Sequence, residues 1–88
     1  MLDERRVVAE NALVELVVWK LSRTLPGYAH RFKYWLAFVV NGQCVARYAN
    51  EAGKGDHRQV GKREMSYRFT TSDSLLTDFW HDVDHRRL

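Results

Sequence analysis

Cysteine and proline are nearly missing from this 88-residue chain, one of each, and no apolar run is long enough to cross a membrane as a helix. A lone cysteine, Cys44, excludes a disulfide framework within the chain. Set mid-strand among apolar neighbours, it is expected as a packed thiol rather than a nucleophile. No secretory leader is expected either. Met1–Arg6 is charged, and Glu10 and Glu15 interrupt the apolar residues that follow. These absences point to a soluble, cytoplasmic protein with no membrane partner. Its length supports a single domain over residues 1–88 with a thin core. Acidic residues are also absent between Glu15 and Glu51, where Lys20, Arg23, Arg31, Lys33 and Arg47 leave a basic centre. The net charge of +3 averages this stretch with an acidic end carrying Asp73, Asp78, Asp82 and Asp84. A basic centre suits a polyanion, and it equally suits a solvated, solubilising face.

What is present is 45% apolar residues, among them three Trp, four Tyr and four Phe, too many for a disordered chain. Valines and Trp19 between Leu13 and Leu21 predict a strand that ends at a Pro26-Gly27 turn, with Val7-Val8 adding a short one before it. Arg31–Val40 and Gln43–Ala49 flank Asn41-Gly42, and Asn-Gly between apolar runs is a strong signal for a two-residue type I′ hairpin. That loop predicts Val39 opposite Cys44, Ala37 opposite Ala46 and Trp35 opposite Tyr48. Both faces of the hairpin are apolar in the middle. One is expected under a helix, and the other suits a partner. Residues Asn50–Arg63 look like a loop, and Glu64–Phe69 alternates like a half-buried strand. A C-terminal helix starts at Thr70-Thr71-Ser72-Asp73 and carries an apolar stripe of Leu75, Leu76, Phe79, Trp80 and Val83. The expectation is α+β: an antiparallel meander of four to five strands with one C-terminal helix packed on the sheet. Trp19, Trp35 and Trp80 are expected in the core.

Chemistry concentrates in Gly53-Lys54-Gly55-Asp56-His57-Arg58. Glycines let the backbone bend and present N–H groups to an anion. Lys54 and Arg58 are phosphate partners, His57 is a proton carrier near neutral pH, and Asp56 can orient either His57 or Arg58. Metal-independent RNA cleavage needs such a set: a base for the 2′-hydroxyl, an acid for the leaving oxygen and cations for the phosphate. The bland reading is a solvated connection in which Asp56 pairs with Arg58 or Lys54. Arg31, Lys33 and Arg47 could steer RNA. Tyr48 or Tyr34 could stack on unpaired bases or simply pack in the sheet. His30 is expected across from about Gly53, near the loop, and is counted with Arg31, Lys33, Arg47 and Tyr48 among the RNA-binding residues. His81 and His85 have metal-ligand spacing with Asp78 beside them, but they should face solvent, and no metal or other cofactor is expected.

These residues resemble a family. His30-Arg31-Phe32-Lys33-Tyr34, Val40-Asn41-Gly42, Arg47-Tyr48, Asn50-Glu51 and above all the Gly53–Arg58 string are similar to the TumE toxins of toxin–antitoxin systems. The resemblance runs from about Asn11 through the final helix. It implies a toxin encoded beside an antitoxin, commonly a small DNA-binding protein, which neutralises it by direct binding. Such a toxin would work as a homodimer or in a toxin–antitoxin hetero-oligomer. The family carries no settled catalytic residue, so RNA cleavage is inferred from the loop's chemistry and the habits of small toxins. Two positions depart from the pattern: Gln59 stands where His is usual and Ala49 where Asp is usual. If activity needs two imidazoles, His57 would have to act with His30 or Tyr48. The alternatives are a non-catalytic RNA- or ribosome-binding module, and a degenerate toxin that retains only antitoxin binding.

Overall fold

Strand-forming residues dominate the first two thirds of the chain, and in the computed structural model they pair in sequence order. The structure describes residues 2–24, 30–51 and 54–86. Strands β1 (Leu2–Ala9), β2 (Ala12–Lys20), β3 (Phe32–Val40), β4 (Gln43–Glu51), β5 (Gly55–Val60) and β6 (Arg63–Ser66) precede one helix, α1 (Ser72–Arg86). They form a six-stranded antiparallel meander in the order β1-β2-β3-β4-β5-β6. The expected Pro26-Gly27 turn lies outside the described residues.

The class is α+β, as expected, with more strands than the four to five anticipated. The Val7-Val8 segment extends back to Leu2, because Asp3–Arg6 pair with β2 although they are charged. Charges suit β1, which is a sheet edge and faces water. The second addition is β5. Asp56-His57-Arg58-Gln59 has no apolar alternation and reads as a loop, yet two ladders, to β4 and to β6, hold it extended. β6 is shorter than expected. Beyond Ser66 the chain leaves the ladder, though Tyr67 and Phe69 still pack against the core.

The Asn41-Gly42 turn forms, with positive φ at both residues, 52° and 78°. Val40 pairs with Gln43 and Val39 with Cys44 as expected, but the register then shifts so that Phe38 meets Ala46, Leu36 meets Tyr48 and Trp35 meets Ala49. Val45 is the extra residue of a bulge. A regular hairpin would have turned Arg47 toward the helix beside Leu36. A one-residue shift reverses every following side chain, which puts Tyr48 in the core and Arg47 on the outer face. Cys44, at the bulge, is exposed rather than packed.

Alternation then divides the sheet. Val14, Leu16, Val18, Tyr34, Leu36, Phe38, Ala46 and Tyr48 point to one face and meet Leu75, Phe79 and Val83 of α1. Phe38 and Phe79 are fully buried; truncating such a ring to Ala costs about 3–5 kcal/mol, so the helix is firmly seated. The Thr71 hydroxyl caps α1 by accepting the Ser74 N–H at 3.0 Å. The other face of the sheet is open. Trp19 and Trp35, expected in the core, stand on that face, because they alternate with core-facing Val18 and Tyr34.

Candidate functional site

Because β5 is a strand, its residues alternate between the two faces. Asp56 and Arg58 point toward the helix with their β4 partners Asn50 and Tyr48, while His57 points to the open face with Ala49. The four residues expected to act together are thus split across the sheet.

On the helix side Asp56, Arg58 and the polar groups around them are hydrogen-bonded to one another or to backbone. Asp56 Oδ2 accepts from Tyr34 OH and pairs with His30 Nε2, both at 2.7 Å. His30 Nδ1 accepts the Phe32 N–H at 3.1 Å, which assigns the ring proton to Nε2 and leaves neither nitrogen free for a substrate. The imidazole also stacks on Phe69 with ring centroids 3.9 Å apart. His30 does approach this segment, but on the opposite face from His57, so the two imidazoles do not form an acid–base pair. Burial, helped by the hydrogen bond to Asp56, drives the Tyr34 phenol far above its ordinary pKa.

Arg58 reaches across to α1. Its Nε donates to Asp82 Oδ2 at 2.7 Å and its Nη2 to Oδ1 at 2.6 Å, while Tyr48 OH donates to Oδ2 at 2.7 Å. The hydrogen bond to Asp82 raises the Arg58 pKa further, although burial opposes it. Burial pushes the Asp82 carboxyl up, but hydrogen bonds from Arg58 and Tyr48 outweigh it and hold the group below its usual range. Tyr48 is only 2% exposed, so its ring is packed rather than available to a base. Neither bland pairing of Asp56 forms: its partners are His30 and Tyr34.

On the open face His57 is 4% exposed and its Nε2 lies 3.8 Å from Glu51 Oε1. Among the described residues no group is within hydrogen-bond reach of that nitrogen. Lys54 Nζ pairs with Glu64 Oε1 at 3.1 Å, and Arg47 Nη2 approaches the other oxygen of Glu64 at 3.8 Å. The hydrogen bond from Lys54 is the main reason that the Glu64 carboxyl sits below its ordinary pKa. Arg47 lies over Trp35, 5.0 Å from the ring centroid. Lys33 stands exposed nearby, and Arg31 Nη1 donates to Ser22 O at 3.4 Å.

Four contributors escaped the sequence: Asp82, Glu51, Glu64 and the exposed Trp35. Asp82 left a signal there as a carboxylate at i+3 from Phe79 beside the apolar stripe, as Asp78 is from Leu75, and Glu51 appeared only within the Asn50-Glu51 pair. His81 and His85 are exposed, as expected, with rings 4.1 Å apart. No group of three or more His, Cys, Asp or Glu side chains among the described residues could hold a metal ion.

A family model described as Toxin TumE matches residues 2–87 of the chain. The chain belongs to the TumE toxin family. It is therefore the toxin of a toxin–antitoxin module, with an antitoxin as its partner. The match extends the likeness carried by the His30–Tyr34 and Gly53–Arg58 segments through β1. Neither the curated proteins nor the solved structures contain a match to this TumE-family toxin. No helix among its described residues is long and apolar enough to cross a membrane.

Proposed function

We propose that this TumE-family toxin acts on RNA, by metal-independent cleavage at the open face where β4, β5 and β6 meet. The observation that carries the reading is His57 Nε2. It is held without a hydrogen-bond partner among the described residues, near the carboxylate of Glu51 and on the face that carries Lys54 and Arg47. In this reading an RNA phosphate displaces Glu64 from Lys54 and Arg47. Once Glu51 and its neighbours move aside to uncover it, the buried His57 Nε2 takes the 2′-hydroxyl proton, and Glu51 stabilises the resulting imidazolium. The 2′-oxygen bonds to phosphorus, the bond to the 5′-oxygen breaks, and that oxygen takes a proton from water. Products are a 2′,3′-cyclic phosphate and a 5′-hydroxyl. Asp56 and Arg58 act by holding β5, through His30 with Tyr34 and through Asp82. Lys33 and Arg31 supply further phosphate contacts.

The low exposure of His57 favours a second reading, RNA binding without cleavage. Labelled RNA incubated with the toxin in EDTA separates the two. The first reading expects cyclic-phosphate ends whose yield falls by about 100-fold or more in His57→Ala. Salt-sensitive binding with intact RNA supports the second. Intact, unbound RNA removes both.

A further inference from the structure

Among the described residues, the large apolar side chains that the fold leaves exposed are Val7 at 75%, Trp19 at 54% and Trp35 at 39%. All three stand on the same face of the sheet, the one opposite α1. Register shows it: Val7 pairs with Leu13, Trp19 with Lys33 and Trp35 with Val17, and each of these alternates with a core-facing neighbour. A cleft of about 520 Å³ lies there, lined by Trp19 and Trp35 together with Val17, Leu21, Lys33 and Glu51. An apolar patch of this kind on a small protein marks an interaction surface.

Charge on the face distinguishes the occupant. Arg5, Lys33, Arg47 and Lys54 share it with Asp3, Glu15, Glu51 and Glu64, Arg31 stands at its margin just before β3, and Glu64 already contacts two of the cations. A surface built mainly to hold a polyanion carries a large surplus of cations, and this one is close to balanced, with Arg31 the one cation in excess. An apolar centre with Trp and Arg, inside a rim of both signs, is instead the anatomy of a protein–protein interface. Arg47 is stacked on Trp35, and its Nε–H has no acceptor among the described residues, so an incoming carbonyl or carboxylate has a donor to meet once side chains adjust.

We propose that the antitoxin docks on this open face, seating an apolar anchor between Trp19 and Trp35. An acidic or carbonyl oxygen of the antitoxin turns to Arg47 and Lys33, and a basic group turns to Glu51. The inference does not depend on RNA cleavage. Glu51 borders both the cleft and His57, so an antitoxin placed here covers the proposed catalytic end as well.

The toxin labelled with 5-fluorotryptophan tests this, each resonance being assigned by a Trp→Phe substitution. Titration with the purified cognate antitoxin is expected to move the Trp19 and Trp35 signals and leave that of Trp80, on α1, in place. The double variant Trp19→Ala/Trp35→Ala, with its melting transition retained, is expected to bind the antitoxin about 30-fold or more weakly. The wild-type titration stands even if that variant does not fold. A shift at Trp80 alone, or wild-type affinity in the folded double variant, overturns the proposal. It is equally overturned if Trp19 and Trp35 respond to toxin concentration or to an RNA oligonucleotide and not to the antitoxin.

Discussion

Arg58 of β5 and Asp82 of α1 meet through two parallel hydrogen bonds of 2.6 and 2.7 Å, which tie the penultimate strand to the helix. The Asp82 side chain is 6% exposed and that of Arg58 26%, so the pair is only partly shielded from water. Removing one partner leaves the other poorly solvated, and that penalty exceeds the net worth of the pair itself. Asp82→Asn or Arg58→Ala should each cost about 2–3 kcal/mol, read from urea denaturation midpoints. The double variant should lose clearly less than the sum. Additive losses would mean that the two side chains do not act as a pair.

Acid should unfold the protein through the same carboxylate. Asp82 is held below its ordinary value, as is Glu64. A lowered folded pKa stabilises fully above the unfolded value, about 3.9 for Asp. The stabilisation disappears as pH falls through the folded value. The melting temperature should be level from neutrality to about pH 5 and drop below about pH 4. Asp82→Asn should shallow that drop, and an unchanged slope would assign acid lability to other groups.

Alkaline titration has the opposite sign. Burial and carboxylate hydrogen bonds raise Tyr34, Tyr48 and Tyr67 well above the ordinary phenol value. A raised folded pKa stabilises fully below the unfolded value, about 10, and that contribution is lost as pH rises past it. Phenolate absorbance from these three tyrosines should therefore appear together with unfolding rather than before it. Smooth ionisation of all the tyrosines near pH 10 in a chain that keeps its circular dichroism would contradict this.

Glu64 pairs with Lys54 and approaches Arg47 on the open face. If an RNA phosphate takes the place of that carboxylate, Glu64→Gln should tighten RNA binding by about threefold, measured by filter binding at fixed salt. Weaker binding in the variant would place Glu64 among the groups that contact RNA.

Gly42 occupies the second turn position at φ 78°, and an added Cβ would meet nothing within 4 Å. Gly42→Ala should then cost about 1 kcal/mol from backbone conformation alone. A much larger loss in urea denaturation would show that the altered turn also disturbs the Val45 bulge.

Much of this architecture was legible in the residues, because local chemistry specifies it. Asn41-Gly42 supplied a turn with its own backbone preference, Leu75-Phe79-Val83 a helical stripe, and Thr71 a cap. The fragment Asp56-His57-Arg58-Gln59 gave no such cue. Its extended form is imposed by two neighbouring strands and by Asp82 and His30, which lie far from it in sequence. The two exposed tryptophans misled for a related reason. Composition assigns an indole to the core, and only the pairing of β2 with β3 shows that Trp19 and Trp35 alternate outward.

By itself, then, the sequence determined the α+β class, the central hairpin, the closing helix and the likeness to TumE toxins, all of which rest on spacings within a few residues. Tertiary structure decided which side chains share a face. The bulge at Val45 and the strand character of β5 are non-local outcomes, fixed by burying Tyr48 and satisfying Arg58. They separate Lys54 and His57 from Asp56 and Arg58, which sequence places side by side. A period of two residues in a strand turns neighbours into opposites, and no reading of the string alone shows where that period begins.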